Sequence, residues 1–290
     1  MARDESNVTL LADGALVPIW RLGDTWRPAL AVVVPAVLLL VLFAQAFVRL
    51  RRRGRSDHAG WERPLLFLLA VAIGTLALVS PLDAAGEQYL LSAHMLQHVT
   101  IGDLAPALAL VALRGPLLFF FVPPLVLAPL ARVRPLRVLL TQLVRPPVAL
   151  GIWAIVIGCW HVPSIYDDTL THRTVHDLEH LCFVVAGVLV WTQIVDPARR
   201  RTLTVPQRIA VAAVLFFAGQ VLSYVLIFSF HALYPAYAAQ HDRLFGWSSL
   251  LDQQLAGLAM MVEQLLTLGT ASALLLAPYV RRRRLIGSST

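Results

Sequence analysis

The chain contains no lysine: all 24 of its Lys and Arg positions are arginine, set against 17 acidic residues for a formal net charge of +7. Charge of either sign is scarce, at 14% of 290 residues, roughly half the usual share in a globular domain. Cysteine is scarce too, and Cys159 and Cys182 are too few for a disulfide framework. The opening residues lack the charged stretch, short apolar run and small-residue cleavage site of a removable signal peptide, so none is expected. A pI near 10.2 in a soluble chain would point to nucleic acid. Here the arginines fall in short clusters between apolar runs, and no nucleic-acid partner is expected. What the chain has instead is apolar mass: 58% of its residues are hydrophobic and the mean hydropathy is +0.71. That composition excludes an ordinary soluble domain and predicts an integral membrane protein.

A membrane-crossing helix needs about 20 apolar residues. Seven stretches meet or approach that length: 28–47, 64–82, 90–113, 146–163, 176–195, 206–230 and 253–278. An eighth, 116–131, is short and carries Pro116, Pro123, Pro124 and Pro129, and lipid offers no partner for the backbone groups that proline leaves unbonded. Cytoplasmic loops are enriched in basic residues. Seven spans with the N-terminus outside put 19 arginines inside and 5 outside, whereas eight spans give 9 inside and 15 outside. The expected architecture is therefore an all-α bundle of seven transmembrane helices. Residues 1–27 would be extracytoplasmic, 116–131 would lie at the inner interface, and 281–290, with Arg281 to Arg284, would form a basic cytoplasmic tail. No repeat or linker divides the chain, so 1–290 is expected to be one transmembrane domain.

Nine histidines are many for such a protein. On this topology only His58 is cytoplasmic; His94, His98, His161, His172, His176, His180, His231 and His241 lie outside or in the outer part of a span. His94 and His98 are four apart, and His172, His176 and His180 continue that spacing, so each set projects from one helix face. Paired imidazoles at this spacing let one helix offer two metal ligands. Polar side chains within spans are costly and by default mark function. His94, His98, His176 and His180 are therefore the candidate metal ligands, with His161 as a fifth. His172, His231 and His241 read more simply as loop or interfacial residues.

Imidazole disfavours magnesium and calcium and leaves zinc, copper and iron. Met95 follows His94, and Met260 lies about 12 Å along its helix from Asp252. A thioether near imidazoles favours copper, particularly Cu(I), while gap-filling packing explains each methionine equally well. Metal-bound imidazoles commonly donate their second N–H to an acceptor, a role open to Glu179, Asp83 and Asp252. Asp103 and Glu263 sit deeper, roughly 20 and 16 Å along their helices, and their role is left open between proton transfer and packing.

These residues stand in motifs. Ser80-Pro81-Leu82-Asp83 is followed by Ser92-Ala93-His94-Met95-Leu96-Gln97-His98 and Ala105-Pro106. Then come Trp160-His161-Val162-Pro163 with Tyr166, and His176, Glu179 and His180. Tyr234-Pro235 with Tyr237, and Asp252-Gln253-Gln254-Leu255-Ala256-Gly257 with Met260, close the series. In order and spacing, residues 61–260 resemble the caa3-type CtaG family of cytochrome c oxidase assembly factors. The resemblance implies a seven-helix plasma-membrane protein that helps make an active haem–copper oxidase through its copper. Asp103, Met261, Glu263 and His231 depart from the family pattern. The expectation is a non-enzymatic copper chaperone whose partners are haem–copper oxidase subunits, membrane lipid and a copper donor protein. Two other readings stay open: a zinc-dependent membrane hydrolase, in which an acid such as Glu179 or Asp83 serves as base, and a bis-His haem protein.

Overall fold

A computed structural model describes residues 16–17, 22–23, 25–26, 28–240 and 243–287. Most of the expected N-terminal segment 1–27, His241 and the last three residues of the tail lie outside the described residues. Apart from a two-residue parallel bridge between Leu16–Val17 and Arg243–Leu244, the regular structure of the described residues is helical. Five stretches form helices long and apolar enough to cross a membrane, close to where the hydropathy put them. These are α1 (Leu30–Arg52), α2 (Glu62–Val79) together with the turn that leads into it (Ser56–Val79 in all), α11 (Arg173–Val195), α12 (Val205–Phe228) and the membrane-length part of α14 (Ser249–Gly287). The sixth is composite: α4 (Leu91–Val99), a π-helical turn (Thr100–Leu104) and α5 (Ala105–Leu113) follow one another without a break. Pro106 has no N–H to give the carbonyl of Gly102 four residues back, and the ladder widens just before it.

The fourth expected span is where the structure differs. α9 (Pro146–Trp160) has 15 residues, about 22 Å at 1.5 Å per residue, short of a ~30 Å hydrocarbon layer. It joins α8 (Arg134–Leu143) at a 74° bend. Pro146 and Pro147 begin α9, and two consecutive residues without N–H groups cannot carry a helix through from α8. The described residues thus contain six helices of membrane-crossing length, or seven if this bent pair counts as one. The proline-rich segment breaks into α6 (Pro116–Phe121) and α7 (Pro124–Arg132), neither long enough to cross. No residue of α7 or α8 is buried, and Leu125, Val126, Leu139 and Leu140 lie exposed along them.

Short helices close the histidine-bearing end. α3 (Pro81–Gln88) is capped by the Ser80 hydroxyl, which accepts from the Leu82 N–H at 3.3 Å, with Pro81 in the first turn. α10 (Pro163–Thr171) and α13 (Pro235–Ala238) complete that end. The packing is inverted relative to a water-soluble bundle. Leu30, Leu65, Phe217, Phe228 and Leu266 face outward, whereas His94, Gln97, Glu179, Gln193, Gln220 and Gln253 are buried. Lipid accepts apolar faces but leaves polar groups to satisfy one another internally. Two close approaches set helix spacing. A Cβ at Gly187 on α11 would lie 1.8 Å from the Gly102 carbonyl oxygen of the π turn, and one at Gly257 on α14 would lie 2.7 Å from the Ser223 oxygen of α12.

Candidate metal centre

α4 and α11 carry the site. On α4, His94 and His98 present their rings one turn apart, with centroids separated by 4.3 Å. On α11, His176 and His180 do the same at 4.1 Å. The Gly102–Gly187 contact brings these helix faces together. Across it, His94 lies 5.2 Å from His176 and 6.0 Å from His180, and His98 lies 5.4 Å from His180, ring centre to ring centre.

Glu179 enters this group rather than standing behind it. Its Oε2 is 3.7 Å from His94 Nε2 and 3.6 Å from His98 Nε2. Ligand atoms of His94, His98, Glu179 and His180 all lie within 4.8 Å of one another, and all four residues are buried. His94 Nε2, both nitrogens of His98, His180 Nε2 and both oxygens of Glu179 have no hydrogen-bond partner among the described residues. Six orphaned polar atoms inside a protein are costly. A carboxylate without donors is the most expensive of them.

The His94 tautomer follows from its neighbours. The Tyr237 hydroxyl donates to the Gly86 carbonyl at 2.5 Å and lies 3.0 Å from His94 Nδ1. Its proton thus committed, the phenol accepts from Nδ1–H, which leaves the Nε2 lone pair pointing toward Glu179. Burial first, then neighbouring carboxylates, hold the Tyr237 phenol well above its ordinary pKa, so it stays a hydroxyl. Acceptor therefore faces acceptor across the group, an arrangement that a cation between them resolves. Three imidazole nitrogens and one carboxylate oxygen suit zinc, copper or iron(II).

The other sequence-derived candidates divide. His176 sits beside the group of four but belongs to a second one with Asp83 and Glu87 of α3; its Nδ1 is 3.1 Å from Glu87 Oε1. His161 joins neither group. Its Nδ1 donates to the Ile157 carbonyl at 2.8 Å, its ring packs on Phe183, and Phe183 in turn stacks on His98. Met95 and Met260 are buried together with Leu91, Tyr166 and Leu226, and both line a small cavity with His98, His161 and Asp103. Asp252, expected as an auxiliary, caps α4 instead: it accepts from the Leu91 and Ser92 N–H groups at 2.7 and 3.1 Å and from the Ser92 hydroxyl at 2.5 Å. Asp83 accepts from Gln97 Nε2 at 2.7 Å. The Asp103 carboxyl meets that of Glu263, and the Trp191 indole N–H donates to Asp103. His231 is exposed at the end of α12 and His172 is exposed before α11. Two contributors escape the sequence reading. Glu87 stands four residues after Asp83, the spacing that marks both histidine pairs, and that signal was available. Tyr237 reaches His94 only through tertiary folding.

Buried polar residues in an apolar-faced bundle of span-length helices define a multi-pass membrane protein with a candidate metal centre between two of its helices. A family model described as cytochrome c oxidase caa3 assembly factor (Caa3_CtaG) matches residues 41–282. The chain belongs to this family of assembly factors. No curated protein and no solved structure matches it.

Proposed function

We propose that the chain binds copper at His94, His98, His180 and Glu179 and presents it for insertion into a haem–copper oxidase, acting as a metallochaperone and not as an enzyme. The observation that carries this reading is the convergence of six orphaned polar atoms, from two helices, into one buried group. A protein selected only for stability would fill that space with apolar side chains, since buried charges seldom stabilise a fold. Copper is cargo in this reading. Imidazole and carboxylate ligands bind it without a further cofactor, and an incoming ligand can replace them one at a time. The arginine-rich loops, read as cytoplasmic, put the site on the extracytoplasmic side of the plasma membrane.

Double substitution His94→Ala and His98→Ala tests it. The expected result is a fall in the copper bound to purified protein, by the ion this group holds, and loss of copper-loaded oxidase in cells, with helicity by circular dichroism retained. Unchanged copper by elemental analysis would refute the assignment. The same donor set suits zinc, so zinc in place of copper, together with ester or amide hydrolysis, would establish the hydrolase reading. A Soret band would establish haem.

A further inference from the structure

We propose that Asp83, Glu87 and His176 form a second metal site, distinct from the buried group of four, which takes up a divalent transition-metal ion first and hands it inward. The proposal deepens the copper reading and rests on it for the direction of transfer.

Ligand atoms from these three residues lie within 4.8 Å of one another. Asp83 and Glu87 are one turn apart on α3, so both carboxylates project from one face toward His176 on α11. Gln97, between His94 and His98 on α4, donates from Nε2 to the Ala77 carbonyl at 2.9 Å and to Asp83 at 2.7 Å, which fixes that carboxylate in place. His176 is only 2% exposed, and while its Nδ1 faces Glu87 at 3.1 Å, its Nε2 is buried with no hydrogen-bond partner among the described residues.

Charge separates this site from the inner one. Two carboxylates and a neutral imidazole balance a divalent ion, so ion and ligands together are neutral and inexpensive to hold in a partly dry site. One imidazole with two carboxylate oxygens suits copper(II), zinc and iron(II). Accessibility sets the order. Glu87 retains 20% side-chain exposure, whereas no residue of the inner group exceeds 7%. The ring of His176 lies 4.1 Å from that of His180 and 5.2 Å from that of His94, so the two sites touch along one imidazole. Passage inward is ligand exchange: a bond to a carboxylate oxygen of Glu87 or Asp83 breaks as a bond to an inner nitrogen forms. The ion keeps its oxidation state, and no electron moves.

The test uses full-length protein in detergent, loaded with copper(II), with metal per chain, paramagnetic resonance spectra and loading rate measured for the wild type, Glu87→Gln, Asp83→Asn and His98→Ala. The wild type is expected to hold two ions, each site giving its own spectrum when it is filled alone. Glu87→Gln should lose the spectrum of the more oxygen-rich site, retain one ion and load it at least tenfold more slowly; His98→Ala should lose the other spectrum. Asp83 is tied to Gln97, so Glu87, with its partly exposed side chain, is the variant expected to leave the fold intact. Wild-type stoichiometry and loading rate in both carboxylate variants would overturn the second site. A single ion lost only in His98→Ala would overturn it too while leaving the inner site standing. Loss in Glu87→Gln with none in His98→Ala would overturn the inner assignment instead.

Discussion

Tyr237 bears on the candidate centre although it offers no metal ligand. By donating to Gly86 and accepting from His94 Nδ1, it fixes which imidazole nitrogen carries the proton. Tyr237→Phe removes that acceptor and leaves the Gly86 carbonyl without its phenolic donor. Outer partners of metal-bound histidines are worth about 10–100-fold in affinity, so competition with a chromogenic chelator should show copper binding weakened by about that factor. Glu179→Gln separates binding from folding. The buried carboxylate has no hydrogen-bond donor among the described residues, and an unpaired buried charge costs several kcal/mol. The neutral amide should therefore raise, or leave unchanged, the melting temperature of metal-free protein while abolishing tight copper binding. A fall in metal-free stability would mean that Glu179 has a structural role. The histidine pairs were legible in the sequence because their spacing is local. Glu179 was legible as a neighbour of His176, but its place inside the group depends on how α11 rotates against α4. Asp252 looked equally suited to orient a ligand, and its task of capping α4 is set by a contact 160 residues away in the chain.

At the scale of elements, the crossing of α4 and α11 determines whether two histidine pairs make one centre. Gly102 and Gly187 let the backbones meet, and the π turn that exposes the Gly102 carbonyl follows from Pro106. Gly187→Ala would drive a methyl group into that carbonyl, so the helices must separate or the turn rearrange. It should lower the melting temperature and weaken copper binding together, although residue 187 touches no candidate ligand. Gly151→Ala, on α9 with nothing within 4 Å of the added carbon, should be neutral or stabilise by up to about 1 kcal/mol through helix propensity. Equal losses from the two alanines would show that the close approach is unimportant. Hydropathy located most spans well because a run of apolar residues is a local property. It located α9 within 146–163 but not its shortness or the bend before it, since Val148 to Trp160 reads as span-like whether or not the helix continues behind two prolines. It could not register the π turn, whose five residues look helical in any periodicity.

At the scale of the whole molecule, the two ends of the bundle differ in chemistry. Arg63 reaches from the start of α2 to the carbonyls of Ala112 and Arg114, at 3.1 and 2.6 Å, the Gly115 N–H donates to the Pro197 carbonyl at 2.7 Å, and Arg208 binds the last carbonyls of α11. The arginine-rich loops therefore gather at one end, where their cations also satisfy helix C-termini that lipid could not. The candidate ligands lie toward the other end, near the starts of α4 and α11. Since insertion keeps arginine-rich loops in the cytoplasm, orientation and the proposed copper chemistry are linked: if the arginine end is cytoplasmic, both candidate metal sites lie toward the outer side. A fluorescent protein fused after Thr290 should then fluoresce in bacterial cells, and alkaline phosphatase at the same position should be inactive, since each folds on only one side of the membrane. Phosphatase fused in the loop between α12 and α14 should be active. The reverse pattern would place the histidines toward the cytosol, and the proposed copper cargo would have to reach them from within.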